Sequence, residues 1–327
     1  DAVFLGYPDD GLADIIDNQH WRPNDPYMSK HTGCASTPYA CVFTPGAEYC
    51  ASRIASDLST ILAEYMPDLV LVPHPLDTHG DHWASYALTM YAIEQLNYVE
   101  LAGANVLAYM VHAGADWPQP WGYRPDLPLD PPRWRGSPQA VWIRTALTED
   151  AVAAKLRALE RYKSQLASVS AFLKSFVRSN ELFSSVPVID LASRNESGPA
   201  HEDHALLGRP DPRPFRVLPP SGEIRSVVAN RTKDGIAVTA TLAWPPSPSM
   251  TYRLQMVSPV PTEALSERLC GERHPSVKEL TYEITPSDIW RRPWAATFLI
   301  PLHYPESLGA QTLIEVVTLH RGAIVDH

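Results

Sequence analysis

Apolar positions along this chain fall into two rhythms, one helical and one short and unbroken. From Ala47 to Met66, residues Ile54, Leu58, Ile61, Leu62 and Tyr65 recur at helical spacing, and Pro67 stops the run. Leu69-Val70-Leu71-Val72 is then apolar throughout, as in a parallel strand buried on both faces. His82 to Asn97 is helical again, and Val106 to Val111 is a second apolar strand. Helix and strand in this alternation predict an α/β fold with a doubly wound parallel sheet. Further on, Thr148 reads as a helix N-cap with Glu149 and Asp150 in the first turn. Val152, Leu156, Leu159, Tyr162 and Leu166 continue at helical spacing, and a second helix is expected from Ser170 to Leu182.

The pattern changes in the last third. Ile236 to Trp244, Tyr252 to Val257, Ala296 to Ile300 and Thr312 to Leu319 are short runs bounded by Pro and Gly, which predicts an all-β part, most simply a sandwich. The expected organisation is an α/β domain over 1–183, a linker over 184–215 and a β-rich domain over 216–327. The 32 prolines among 327 residues are about twice ordinary usage, and they concentrate in loops such as Asp17 to Pro45 and Gly114 to Pro138. A net charge of −10 argues against tracking nucleic-acid phosphates, so no nucleic-acid partner is expected. No run of 18 apolar residues exists, so no transmembrane segment is expected. The chain opens on Asp1-Ala-Val-Phe-Leu5, which reads as the interior of a strand, so its beginning is expected to be missing.

Candidate chemistry gathers in Pro73-His-Pro-Leu-Asp-Thr-His-Gly-Asp-His82. This stretch lies between a buried strand and a helix start, and open α/β sheets bind ligands at the carboxyl ends of their strands. His74, Asp77, His79, Asp81 and His82 all fall there. His79 and His82, spaced i, i+3, can direct one imidazole to a metal and leave the other for acid–base work, with Asp81 able to orient a ring. The plainer reading is a polar loop in which Asp81 caps the helix and the histidines are solvated. His112 closes the next strand at the same edge. There it can line a substrate pocket or simply bond backbone.

Pro73-His74-Pro75 with His79-Gly80-Asp81-His82 resembles the second signature of the LmbE-like/PIG-L deacetylases. Phe4-Leu-Gly-Tyr-Pro-Asp-Asp-Gly-Leu12, Tyr109-Met-Val-His112, Lys155 with Tyr162-Lys-Ser-Gln165, and Phe176-Val-Arg-Ser-Asn-Glu-Leu-Phe183 resemble further segments of the same family, over roughly residues 1–183. The resemblance implies a Rossmann-like deacetylase domain and zinc-dependent hydrolysis of the acetamide of an N-acetylglucosamine-containing glycan or glycoconjugate. It implies His82 as a zinc ligand, His79 as the group facing the reacting amide, Asp81 as its support, and Asp9 as an acceptor for a sugar hydroxyl. The family's His-Pro-Asp-Asp motif, which supplies two zinc ligands and the general base, does not occur in the sequence. The chain is therefore expected to bind zinc poorly and to be inactive as it stands. Tyr7-Pro8-Asp9-Asp10 matches the other family segment better than it matches that motif. The rival is a non-catalytic carbohydrate-binding protein that keeps the fold.

Aromatic residues in the loops, His20, Trp21, Tyr27, Tyr39, Trp117 and Trp121, can stack on sugar rings or anchor the loops. Arg161, Lys163 and Arg178 read as a solvated face, and His201, Asp203 and His204 as a linker cluster without metal. Cys34, Cys41 and Cys50 cluster in a loop, either stapled by a disulfide, with Cys34–Cys41 the first choice, or free. Cys270 is expected to be unpaired. A staple would favour an exported or extracellular protein over a cytoplasmic one. No serine-hydrolase elbow and no nucleotide-binding glycine loop occurs.

Overall fold

A computed structural model describes residues 2–97, 105–114, 117–132, 141–186, 205–207, 224–232, 235–242, 249–259, 277–284, 295–301, 313–320 and 323–326. Its first half is mixed α/β. Strand β1 (Leu69–Pro73) pairs in parallel with β2 (Asn105–Tyr109), Leu69 opposite Asn105 and Pro73 opposite Tyr109. Beyond β2 the sheet turns antiparallel. β4 (Asn180–Ser185) pairs antiparallel with β2 on one side and with β3 (Val141–Ala146) on the other, in the order β1-β2-β4-β3. The expected wholly parallel sheet is thus a mixed one among the described residues. Two helices in succession, α4 (Glu149–Leu159) and α5 (Lys163–Lys174), separate β3 from β4, and the extra reversal brings β4 back antiparallel.

Three helices build the core beside the sheet. α2 (Ala51–Tyr65) ends at Met66 in the left-handed conformation, just before Pro67. α3 (Gly80–Asn97) buries Trp83, Ala84, Leu88, Tyr91, Ala92, Ile93 and Leu96, which face several directions. A helix apolar on several sides belongs at a centre. α3 packs on α1 (Leu12–Asp17), on α2 and on β1, with Ile15, Ile16, Trp21, Tyr27, Tyr49 and Ile54 completing the cluster. Trp21 and Tyr27 therefore anchor the long proline-rich loop. Gly80 is required by this packing, because a Cβ there would lie 2.9 Å from the Cβ of Ala13 on α1.

Three expectations change. β1 is not buried on both faces: Leu69 and Leu71 are 48% and 49% exposed, because β1 lies at the sheet edge and only alternate residues face the helices. No helix runs from Ser170 to Leu182. α5 ends at Lys174, and Asn180–Ser185 is a strand because its backbone pairs on both sides. Cys34, Cys41 and Cys50 are free, so the staple that favoured export is not formed among them. Cys50 is buried at the N-cap of α2, and Thr148 caps α4 by accepting the N–H of Ala151. Cys270 and the 201–204 cluster lie outside the described residues.

The second half contributes strands only among the described residues. β5 (Ala205–Leu207), β6 (Ile224–Thr232), β7 (Gly235–Leu242) and β10 (Ala295–Pro301) form one antiparallel sheet, in the order β10-β7-β6-β5. β8 (Met250–Pro259), β9 (Val277–Ile284), β11 (Leu313–His320) and β12 (Ala323–Asp326) form another, in the order β12-β11-β8-β9. Met250, Tyr252, Leu254 and Met256 alternate inward on β8, the period-2 burial of a strand with one covered face. β5 falls within the stretch read as a linker. No helix among the described residues is long and apolar enough to cross a membrane.

Candidate metal centre

The parallel pair brings two chain segments together at its carboxyl edge. Tyr109 is opposite Pro73 in register, so the residues that follow each strand leave side by side. Backbone bonds then join them: His74 N–H donates to Tyr109 O (2.7 Å) and Thr78 N–H to His112 O (2.9 Å). The loop 74–79 carries Asp77 and His79, the first turn of α3 carries His82, and His112 follows β2.

Asp77 anchors this junction. Its side chain is fully buried and accepts three backbone N–H groups: His79 on Oδ1 (2.9 Å), Val111 and His112 on Oδ2 (3.0 and 2.9 Å). Burial by itself would raise its carboxyl. The neighbouring His82 and the N–H groups of His112 and His79 outweigh burial and hold it below the usual carboxylate range. A buried anion therefore sits at the floor of the site.

Three imidazoles surround it. Ring centroids are 4.8 Å apart for His79–His82, 5.1 Å for His82–His112 and 5.5 Å for His79–His112. His82 Nδ1 is 3.0 Å from Asp77 Oδ2, yet it is buried and not aligned for a hydrogen bond. Burial, chiefly, keeps His112 below the ordinary histidine value, with His82 and His79 adding to the effect and Asp77 opposing it. A ring that stays neutral keeps a lone pair for a metal.

Ligand atoms of Asp77, His82 and His112 all lie within 4.8 Å of one another. A tetrahedral zinc site with bonds of about 2.0–2.1 Å spaces its donors about 3.3 Å apart. Asp77 and His82 stand 3.0 Å apart, near that spacing, and no pair of the three donors has to close by more than about 1.5 Å. The chemistry of the donor set, two imidazoles drawn up to a buried carboxylate, is the sign that these residues fit a cation. Three donors converge here, where the sequence led to His82 alone.

His79 caps the start of α3. Its Nδ1 accepts the N–H of Asp81 (3.2 Å), so the neutral ring carries its proton on Nε2. Asp81 supports His79 through this backbone bond and not through its carboxylate, as had been expected. The carboxylate accepts the N–H groups of Asp10 (2.7 Å), Gly11 (3.1 Å) and Leu12 (2.9 Å) at the start of α1. His112, expected to line a substrate pocket, stands among the metal donors. Asp9 is exposed in the turn before α1. Tyr7 donates to Asp57 on α2 (2.8 Å).

Two further side chains depart from the sequence reading. His74 is buried and stacked on Trp142, centroids 5.4 Å apart, and burial lowers its pKa to about 4. Arg178 is buried rather than solvated, donating to Ser175 O (2.6 Å) and Pro120 O (2.7 Å). The convergence of Asp77 and His112 was missed because it depends on which strands neighbour each other. The signal available was that both residues follow predicted strands at one sheet edge.

Comparison with protein-family models, with curated proteins and with solved structures returned no match.

Proposed function

We propose that this chain is a zinc-dependent de-N-acetylase of N-acetylglucosamine-containing glycans or glycoconjugates, combining a doubly wound deacetylase fold with a β-sandwich. The observation that carries this reading is the meeting of Asp77, His82 and His112 beside His79 at the carboxyl ends of β1 and β2. Asp77, His82 and His112 would hold a zinc ion with one position open, and the ion would supply Lewis-acid polarisation of an acyl carbonyl and a water of pKa lowered toward about 7. Asp77 supplies negative charge for the cation, and its three N–H donors hold it in place. His112 offers a neutral ring. His79 presents an N–H at Nε2, suited to stabilise charge developing on the amide oxygen or to protonate the leaving amine.

One observation favours the carbohydrate-binding alternative. Both carboxylates next to the imidazoles are committed to backbone, Asp77 to three N–H groups and Asp81 to three others. Neither is free to take a proton from water. The test is elemental analysis of the purified chain together with acetate release from chitin oligosaccharides. The sequence offered a single ligand and so led to weak zinc binding and no activity; with Asp77 and His112 beside His82, the deacetylase reading instead expects one zinc per chain, with metal and acetate release both lost in His82→Ala and in His112→Ala. His79→Ala keeps the metal and loses about 10²–10³ in turnover. Bound zinc with oligosaccharide binding but no acetate from the wild type decides for the binding protein. Absence of metal from the wild type rejects the centre itself.

A further inference from the structure

The proline-rich excursion before β3 holds two tryptophans in unlike states. Trp117 is buried, only 7% exposed, donates its indole N–H to Asp130 O (2.8 Å), and meets Phe176 edge-on. It is an anchor. Trp121 is 48% exposed although its backbone is tightly held on both sides. Gly122 N–H donates to Ala171 O on α5 (3.0 Å), and the buried Arg178 donates to Pro120 O (2.7 Å). An exposed indole on a fixed backbone loses little freedom when it receives a ligand.

Its position links it to the candidate metal centre through rings. Trp121 meets Phe172 at 71° with centroids 6.2 Å apart, and Phe172 stacks on His112 at 17° and 5.5 Å. The edge-to-face contact covers only part of the indole, which stays 48% exposed. An aromatic ridge thus runs from the metal donors outward to Trp121.

We infer that Trp121 is a stacking platform for a second sugar ring, next to the N-acetylglucosamine whose acetamide lies at the imidazoles. The inference rests on the proposed carbohydrate substrate. It adds that the protein prefers a glycan of two or more units to a single sugar. The apolar C–H face of a pyranose fits a flat aromatic face, and neither Phe172, half-buried against His112, nor Trp117 offers such a face openly. Arg178 is a positioning residue, because it is buried and holds the loop through Pro120 O.

Calorimetric titration with di-N-acetylchitobiose and with the methyl glycoside of N-acetylglucosamine tests this, with bound zinc measured in each sample. Wild-type protein binds the disaccharide more tightly than the monosaccharide. Trp121→Ala loses that advantage, about tenfold in affinity, with unchanged monosaccharide binding and unchanged zinc. Trp121→Phe retains most of it. Equal disaccharide affinity in Trp121→Ala and wild type overturns the platform, as does a wild type that binds neither probe or does not distinguish them. The two proposals fail separately. Trp121-dependent binding without acetate release leaves the platform and removes the hydrolase. Acetate release with the same KM for the disaccharide in Trp121→Ala does the reverse.

Discussion

His74 and Asp57 are both buried titratable groups outside the imidazole cluster, and they drive stability in opposite directions with pH. The folded His74 takes up a proton only near pH 4, whereas an unfolded chain does so near 6.5. Between those values the unfolded state binds more protons, so stability present above pH 6.5 is lost on acidification, on the order of 3 kcal/mol by pH 4. His74→Gln is expected to flatten this loss when urea unfolding is compared at pH 7 and pH 4.5. Asp57 accepts hydrogen bonds from Tyr7 and Thr44, both 2.8 Å, yet burial outweighs them and raises its carboxyl above the ordinary value of 3.8. Here the folded state binds the extra proton, and the contribution of Asp57 to stability falls as pH rises from 3.8 through its folded value. Relative to wild type, Asp57→Asn therefore becomes more favourable toward neutral pH, and unchanged spacing of the two unfolding curves over that window would refute the assignment. Neither environment was legible in the sequence. A histidine or aspartate says what it can ionise to, and only the neighbours brought by folding say which form is stable.

At the level of elements, α1 is too short to stand alone and was not read from the sequence at all. It exists because Asp81 on α3 holds its first N–H groups and because Ile15 and Ile16 are buried against α2 and α3. Asp81→Ala is expected to cost about 2 kcal/mol, from the loss of charge-assisted bonds to backbone, with less lost in Asp81→Asn. Chemical denaturation measures the cost, and rapid amide exchange at Gly11 and Leu12 in Asp81→Ala would locate it. The longer helices were legible, α2 because its apolar positions recur over several turns and α3 because a long, largely apolar run follows Gly80 without proline or glycine. The start of α5 and the strand nature of β4 were not. Phe176 to Leu182 has apolar positions that suit either period, and the pairing with β2 and β3 decides between them.

Across the whole molecule, the candidate centre joins segments far apart in the chain, so a bound cation should act on global stability. Zinc is expected to raise the Tm of the wild type with concentration, by mass action on the folded state, and not that of His82→Ala. A chelator reverses the shift, and equal shifts in both proteins would mean nonspecific binding. A second long-range contact links the two halves of the chain: the guanidinium of Arg253 on β8 donates to the carbonyl of Asp17 at the end of α1, and α3 packs against β8. Arg253→Met is expected to separate the thermal unfolding of the α/β part from that of the strands, seen as a broadened or split calorimetric transition. A single sharp transition at the wild-type Tm would assign no weight to the contact.

The sequence by itself determined the α/β order of β1, α3 and β2, the strands β7, β8, β10 and β11 of the last third, and the clustering of histidines at a sheet edge. These follow from local periodicity, caps and proline, which act within a few residues. Tertiary structure alone decided that His112 joins His82, that Asp77 and not Asp81 faces them, and that β4 runs antiparallel. It also decided that Trp117 is buried where Trp121 is open. Each of these depends on which segments become neighbours, and that is set by packing summed over the chain rather than by any one stretch of it.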